Sequence, residues 1–176
     1  AVSRLKRISD EINRVIETYT DSSRKQLESQ MKETFNKIIT AQDRSLIGQI
    51  KISSNFELSV IGRNGVNMLS DFSMGQSQML SLAFITSLAI VASKGRDTVD
   101  FPLFMDTPFG RLSQDNRINL IENIPDMTSQ WILLLTDTEL TEGTELPAFK
   151  KGNQVGTVYS LKKTDEGTTK IVPEKI

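Results

Sequence analysis

The stretch Phe101-Pro102-Leu103-Phe104-Met105-Asp106-Thr107-Pro108 predicts an apolar β-strand that ends in a carboxylate and turns at Thr-Pro. Its side chains are apolar on both faces, which is typical of a strand in the middle of a sheet that is covered on both sides. In open α/β sheets, ligands lie beyond the carboxyl ends of the strands, and an acid there is well placed to hold Mg²⁺ on a nucleotide. The alternative is that Asp106 only caps the next turn.

The segments around this strand alternate between helix and strand patterns. Ser113 is a good N-cap for the helix that follows, and Gly167 lies in the turn of a C-terminal hairpin. The predicted elements are two short antiparallel strands, a helix, the apolar strand, a second helix, a second apolar strand and a hairpin: residues 50–52, 56–60, 77–93, 101–105, 114–124, 131–135, 154–162 and 168–172. The predicted fold class is α/β with a mostly parallel central sheet.

A long helix is predicted before these elements. Residues 2–47 contain neither Pro nor Gly, and apolar side chains recur every three or four residues. The stretch 20–26 is polar, and the apolar pattern returns after it in a shifted register, as at a stutter in a coiled coil. The helix either packs on its own domain or forms one arm of a coiled coil. We divide the chain into an arm helix, 1–47, and a lobe, 48–176.

Composition excludes several classes of chemistry. The 176 residues include 21 Lys and Arg, 22 Asp and Glu, no His and no Cys. Catalytic triads that use His, thiol chemistry and the usual structural zinc sites are therefore excluded. The apolar run 79–92 is too short to span a bilayer and predicts a buried helix, and the N-terminus lacks a secretory signal, so we expect a cytoplasmic location without membrane contact.

The small-residue turn Ser73-Met74-Gly75-Gln76-Ser77-Gln78 directly precedes the apolar helix. A helix start offers unpaired backbone N–H groups and the positive end of a dipole to an anion. Ser73 would add a hydroxyl, and Gly75 would permit close approach. On these residues alone, a simple helix cap is the more common explanation of the turn.

The order of these motifs resembles the C-terminal lobe of an ABC-type ATPase head of the SMC-like class. The motifs Asp106-Thr107-Pro108-Phe109-Gly110-Arg111-Leu112 and Thr136-Asp137-Thr138-Glu139 are most similar to those of the DndD proteins of DNA phosphorothioation systems and related phage-defence ATPases. The resemblance covers nearly the whole chain. It implies the C-terminal half of a P-loop ATPase head, preceded by a coiled-coil helix.

The resemblance also implies roles for individual residues. In such heads, ATP is held between two head domains, each of which supplies a P-loop to one ATP and a signature turn to the other. The resemblance implies a signature turn that contacts the γ-phosphate in the partner head, formed by Ser73, Gly75 and Gln76 with the support of Gln78. It implies that Asp106 is the Walker B acid that orders Mg²⁺ and water. The D-loop that crosses the dimer interface would be Gly110, Arg111, Leu112 and Ser113, and the switch would be Thr136 and Asp137.

The sequence departs from this family pattern in three ways. Nothing matches GxxxxGK[ST], so the P-loop lobe must belong to another segment or chain. Thr107 follows Asp106 where many family members have a catalytic Glu, and Glu139 is the candidate replacement as a catalytic base. Asp137 stands in place of the switch His, and its carboxylate would be repelled by a γ-phosphate unless it is protonated, paired or turned away.

The predicted function is half of an ATP-binding and hydrolysing head that dimerises on ATP and acts on DNA in modification, defence or repair. Its cofactors would be ATP and Mg²⁺, and its partners the P-loop lobe, a second head and DNA. The first alternative is a nucleotide-gated DNA clamp with little hydrolysis. The second is a metal-dependent nuclease that uses Asp106, Asp137 and Glu139. Trp131 is predicted to be a core residue.

Overall fold

The predicted helices and strands occur in the predicted order, and two short helices that were not predicted, 41–46 and 145–151, occur among them. The computed structural model describes residues 2–94, 101–152, 155–165 and 167–174. Its elements are α1 Val2–Ile38, α2 Ala41–Leu46, β1 Ile47–Ile52, β2 Leu58–Gly62, α3 Met74–Ser93, β3 Leu103–Asp106, α4 Gln114–Asn123, β4 Trp131–Leu134, α5 Glu145–Lys151, β5 Val158–Lys163 and β6 Thr169–Glu174.

Helix α1 is continuous over 37 residues, but its two halves have different surroundings. The apolar stripe of the first half is 53–71% exposed: Leu5, Ile8, Ile12, Val15, Ile16 and Tyr19. From Leu27 onward the stripe is buried in the core. The first half of the helix therefore fits the predicted coiled-coil arm, since it exposes an apolar stripe of the kind that coiled coils use. The second half fits the other predicted alternative, a helix packed on its own domain.

The helix ends at Ile38, nine residues before the predicted end. Thr40 starts α2, because its hydroxyl accepts a hydrogen bond from the backbone N–H of Asp43 at 3.2 Å. Residues 41–46 form this second, short helix, and β1 begins directly after it. The absence of Pro and Gly from 2–47 was not enough to make one helix, since a side-chain cap interrupts it.

The polar stretch at the stutter connects α1 to β1. The Arg24 guanidinium donates a hydrogen bond to the carbonyl oxygen of Ile52 at 2.5 Å, and the Glu28 carboxylate accepts one from the backbone N–H of Ile52 at 2.7 Å. These two bonds satisfy both backbone groups of one strand residue. The polar residues between the two apolar stripes therefore fix the position of the helix along the strand.

The core lies mainly between α1 and α3, which make the most extensive contact between two elements of the described chain. Helix α1 contributes Leu27, Met31, Phe35 and Ile38, and α3 contributes Met79, Leu80, Leu82 and Ala83. Full burial of each large apolar side chain contributes about 1.5–3 kcal/mol to the free energy of unfolding. This packing fixes the direction of α3, and with it the position of the turn at its N-terminus.

The predicted central sheet is smaller than expected. Within the described residues, β3 and β4 form a parallel pair, and β1–β2 and β5–β6 form two separate antiparallel pairs. Leu103 and Met105 are buried, but the opposite face of β3–β4 leaves Phe104 58% exposed. The prediction that this strand is covered on both faces was wrong for this chain. Its apolar pattern requires a cover but does not say which chain supplies that cover.

Trp131 and the C-terminal hairpin both match their predictions. Trp131 packs edge-on against Phe109 at a ring-centroid distance of 6.5 Å and also contacts Phe149, which confirms its place in the core. The C-terminal hairpin is confirmed, with Gly167 at a φ of 76° in its turn. The first predicted residue of this hairpin, Gln154, lies outside the described residues.

Helix α3 is long and apolar enough to cross a membrane by length and composition. The expectation of no membrane contact rested on the run 79–92, which is shorter than this helix. A third of its most apolar window is buried, and core helices of water-exposed proteins meet the same criteria. Since Met79 and Ala83 pack on α1, α3 serves here as a core helix.

Candidate functional site

The N-terminus of α3 is formed by a reciprocal capping box. The Ser73 hydroxyl accepts a hydrogen bond from the backbone N–H of Gln76 at 3.2 Å, and the Gln76 side-chain oxygen accepts one from the backbone N–H of Ser73 at 3.0 Å. The Ser-x-x-Gln spacing explains this arrangement. It also explains why the helix begins at Met74, three residues before the predicted start.

Gln76 makes a second contact away from the helix. Its side-chain nitrogen donates a hydrogen bond to the Asp43 carboxylate at 2.8 Å. Both polar ends of this amide are therefore engaged within the chain, whereas the resemblance placed Gln76 against a γ-phosphate. Asp43 was not singled out in the sequence, because no local pattern links α2 to α3.

The start of α3 lies directly against the loop formed by residues 109–113. A Cβ atom added to Gly75 would lie 2.8 Å from the backbone oxygen of Arg111. The Gln78 side-chain nitrogen donates a hydrogen bond to the carbonyl oxygen of Pro108 at 2.6 Å. The predicted signature turn and the predicted D-loop are thus in contact within one chain.

The β3 strand ends as predicted in an exposed carboxylate, that of Asp106. Thr107 has a φ of 47°, which is unusual for a β-branched residue and indicates backbone strain. Its N–H donates a hydrogen bond to the carbonyl oxygen of Leu134 at 2.9 Å, which continues the pairing with β4. Phe109 is fully buried and anchors the start of the 109–113 loop.

Glu139 faces inward, and only 2% of it is exposed. One carboxylate oxygen accepts a hydrogen bond from the backbone N–H of Phe109 at 2.7 Å. The other accepts bonds from the Thr136 backbone N–H at 3.2 Å and from the Thr136 hydroxyl at 3.1 Å. The carboxylate thus joins the 109–113 loop to the end of β4, an arrangement that favours a positioning role over the predicted role as a base.

A buried ion pair supports the same loop from the other end. The Arg117 guanidinium donates hydrogen bonds to the carbonyl oxygens of Leu112 at 3.2 Å and Thr138 at 3.4 Å, and it pairs with Glu145 at 3.2 Å. Burial acts to raise the pKa of Glu145, but hydrogen bonds from Thr141 and Thr144 outweigh it and lower the pKa to about 2. Arg117 carries only a weak sequence signal, as a basic residue one turn after the Ser113 cap, and no local pattern points to its partner Glu145.

An open cleft of about 700 Å³ lies between the start of α3, the 109–113 loop and the end of β4. Five predicted site residues line it: Gln78, Gly110, Arg111, Thr136 and Glu139. The cleft lining does not include Ser73, Gly75, Gln76, Asp106, Leu112, Ser113 or Asp137. Ser113 instead caps α4, as predicted. Asp137 is exposed between Thr136 and Thr138.

The acidic residues fit a nucleotide-bound cation better than a metal held by the protein alone. Within the described ranges, no three or more Asp or Glu side chains come together as a metal site, so the predicted cluster of Asp106, Asp137 and Glu139 does not form. Mg²⁺ on a nucleotide needs only one or two carboxylates, since phosphate oxygens and water complete its shell. The exposed carboxylate of Asp106 meets that lesser requirement.

Known structures share this fold. No protein-family model and no curated protein matches the sequence. A chain from a study of ATP-driven dimerisation and DNA-stimulated activation of SMC ATPases matches with a TM-score of 0.64 and 14% identity, over 90% of this chain and 89% of that chain. The SMC head domain from Thermotoga maritima matches with a TM-score of 0.56 and 13% identity, over 91% of this chain and 52% of that chain.

These similarities establish the fold. The chain has the mixed helix and strand architecture, with a long N-terminal helix, of part of an SMC-like head. It spans about half the length of the Thermotoga maritima head domain.

Proposed function

We propose that this chain is the C-terminal half of an SMC-like ATPase head that closes on a second head when ATP binds between them. The observation that carries the proposal is the contact of the capped α3 N-terminus with Arg111 of the 109–113 loop, through Gly75, and with the preceding Pro108, through Gln78, beside the carboxyl ends of two parallel strands. A capped helix start offers backbone N–H groups to a phosphate, and the neighbouring Asp106 offers an oxygen ligand for Mg²⁺.

The absent P-loop motif and an exposed apolar face of β3–β4 both point to a second lobe. The chain has no P-loop motif, and one face of β3–β4 exposes Phe104, Ile132 and Leu134. A P-loop lobe that covers this face would bury the apolar side chains and supply the phosphate cradle. ATP held by one complete head would then meet Ser73 of the other head, which favours the closed dimer by the additional affinity.

The same site supports slow hydrolysis. Thr107 has no group that can act as a base near neutral pH, and the candidate replacement, Glu139, is buried and hydrogen-bonded through both oxygens. The second candidate function is accordingly a nucleotide-gated clamp with little turnover. Turnover by a head completed with a P-loop lobe separates the two functions, with Asp106→Asn as the inactive control.

The proposed context is DNA modification or defence of the DndD kind. It is supported by the motifs at 106–112 and 136–139, which resemble those of DndD proteins. Stimulation of ATP turnover by double-stranded DNA would support action on DNA. Turnover that is identical with and without DNA would contradict it.

The closure of two heads can be tested at Ser73. Ser73 is exposed, so Ser73→Arg places a bulky side chain at the helix start; it also removes the N-cap hydrogen bond, which costs about 0.5–2 kcal/mol. We expect ATP-dependent dimerisation of the completed head, measured by light scattering, to be lost while monomeric ATP binding is retained. Ser70→Arg, at an exposed position outside α3, is the matched control. Equal dimerisation of both variants would contradict the proposal.

A further inference from the structure

We propose that Glu139 is a positioning residue that holds the 109–113 loop for contact with the second head, and that it does not take a proton from the attacking water. The inference rests on the proposed function, because it assigns a role within the closed dimer. Its starting point is a carboxylate that is 98% buried and accepts hydrogen bonds on both oxygens from groups of its own chain.

The hydrogen bonds of Glu139 hold two segments of the chain together. Its hydrogen bond from the Phe109 N–H fixes the first residue of the loop, and its bonds from Thr136 fix the carboxylate to the end of β4. A general base must reach the proton that it abstracts, either directly or through one water. Three donors of its own chain occupy most of the roughly four acceptor sites of this carboxylate, and only 2% of the residue is exposed, so it is poorly placed to reach an attacking water.

The other end of the loop is held by the same part of the chain. Arg117 donates to the carbonyl oxygen of Leu112, and its guanidinium is fixed by Thr138 and Glu145. The segment 136–145 therefore holds both ends of the loop, through Glu139 at Phe109 and through Arg117 at Leu112. A displacement of Thr136 would carry the loop with it.

This connection gives Glu139 a function in head closure. Thr136 lines the cleft beside the start of α3, and in the proposed closed dimer this cleft would receive the γ-phosphate while the 109–113 loop contacts the second head. A change at the phosphate that moves Thr136 would then reach the dimer contact through one side chain. The Glu139 carboxylate couples Thr136 to the 109–113 loop. Its removal would leave the loop free to move away from its position in the closed dimer.

The two possible roles of Glu139 predict opposite effects on the closed dimer. If Glu139 were the base, Glu139→Gln would block hydrolysis, and ATP-bound dimers would persist longer than in the wild type. If Glu139 positions the loop, the same variant would weaken the dimer, because a Gln side chain presents an N–H₂ group to one of the donors that the carboxylate accepts. Dimer lifetime therefore separates the roles where turnover alone would not.

The experiment uses a head completed with a P-loop lobe, with ATP and Mg²⁺. For Glu139→Gln we expect at least a tenfold weaker ATP-dependent dimer, at least a tenfold faster hydrogen exchange of the Phe109 amide, and monomeric ATP affinity within twofold of the wild type. Glu142→Gln, which removes an exposed carboxylate three residues away, should change none of these. If Glu139→Gln lowers the melting temperature too far, Thr136→Val removes one donor, keeps the carboxylate and should also speed exchange at Phe109.

Three results would overturn the inference: longer-lived dimers, unchanged dimers, or an unchanged exchange rate at Phe109. The failure of the proposed function gives a different result, since wild-type heads would then not dimerise on ATP. In that case the exchange rate at Phe109 still reports whether Glu139 holds the loop. If hydrogen exchange at Phe109 is fast in Glu139→Gln but no ATP-dependent dimer forms, the role of Glu139 in head closure would be overturned. Its role in holding the 109–113 loop would be retained.

Discussion

Gly75 and Arg111 are in such close contact that a single methyl group would not fit between them. A Cβ atom on Gly75 would lie 2.8 Å from the Arg111 carbonyl oxygen, which belongs to backbone and cannot rotate away. The sequence suggested that this glycine permits the approach of a phosphate. The structure gives an additional reason, since the glycine also permits the approach of the 109–113 loop.

Gly75→Ala should therefore displace this loop or destabilise the chain. An Ala in a helix is favoured over Gly by up to about 1 kcal/mol, but overpacking against backbone costs about 1–3 kcal/mol. We expect a net decrease in the free energy of unfolding, measured by urea denaturation. Ser77→Ala, an exposed position on the same helix turn, is the control. A Gly75→Ala variant that is as stable as this control, with an unmoved loop, would show that the contact is not restrictive.

Thr107→Glu should increase ATP turnover in a completed head. The substitution places a carboxylate next to Asp106, where the proposed SMC-like class would have its catalytic Glu, and general base catalysis contributes about 10²–10⁴-fold. The φ of 47° is less strained for Glu than for the β-branched Thr, so the fold should tolerate the change. We expect kcat to rise at least tenfold. Thr107→Gln matches the size of Glu without a base, and equal rates in the two variants would refute the explanation for slow turnover.

Glu145 should make stability depend on pH in the acid range. Burial raises the pKa of this carboxyl, but the hydrogen bonds from Thr141 and Thr144 prevail and lower it to about 2, from an ordinary value of 4.5. Because the folded-state pKa is lowered, its contribution to stability is complete above about pH 4.5 and is lost as the pH falls toward 2. The contribution is about 1–3 kcal/mol.

This pH dependence can be isolated by substitution. The free energy of unfolding of the wild type should fall more steeply between pH 5 and pH 2.5 than that of Glu145→Gln, because Gln does not titrate. Other acids with lowered pKa values, such as Asp21, Glu33 and Glu174, are present in both proteins and cancel in the difference. Glu142→Gln should follow the wild type. Parallel curves for the wild type and Glu145→Gln would show that the buried carboxylate does not provide this stability.

Local patterns predicted the elements better than their surroundings. Ser113 as a helix cap, the packing of Trp131 against the core and the turn at Gly167 were all predicted, because each depends on a few neighbouring residues. The end of α1 at Ile38 was missed, since the cap at Thr40 lies within an otherwise helical pattern. The bare face of β3–β4 was also missed, because an apolar strand has the same pattern whichever chain covers it.

The candidate site was predicted in part. The sequence identified Gln78, Arg111, Thr136 and Glu139, all of which line the cleft. It did not predict that Glu139 faces inward, because the direction of a side chain depends on the distant donor at Phe109. The pair of Arg117 and Glu145 was missed for the same reason, since its partners lie on elements whose packing no local spacing encodes.

The unbroken α1 helix has the geometry of a lever. At 1.5 Å per residue, its 37 residues extend about 55 Å, and the part before Leu27 accounts for about 37 Å of that length. Leu27 to Ile38 are fixed in the core, and Arg24 and Glu28 fix the helix to Ile52 at the point where it leaves the core. A tilt of about 10° at this fulcrum would move the far end by about 6 Å, given the same rise per residue. Angular changes too small to disturb the core would thus become displacements as large as a side chain.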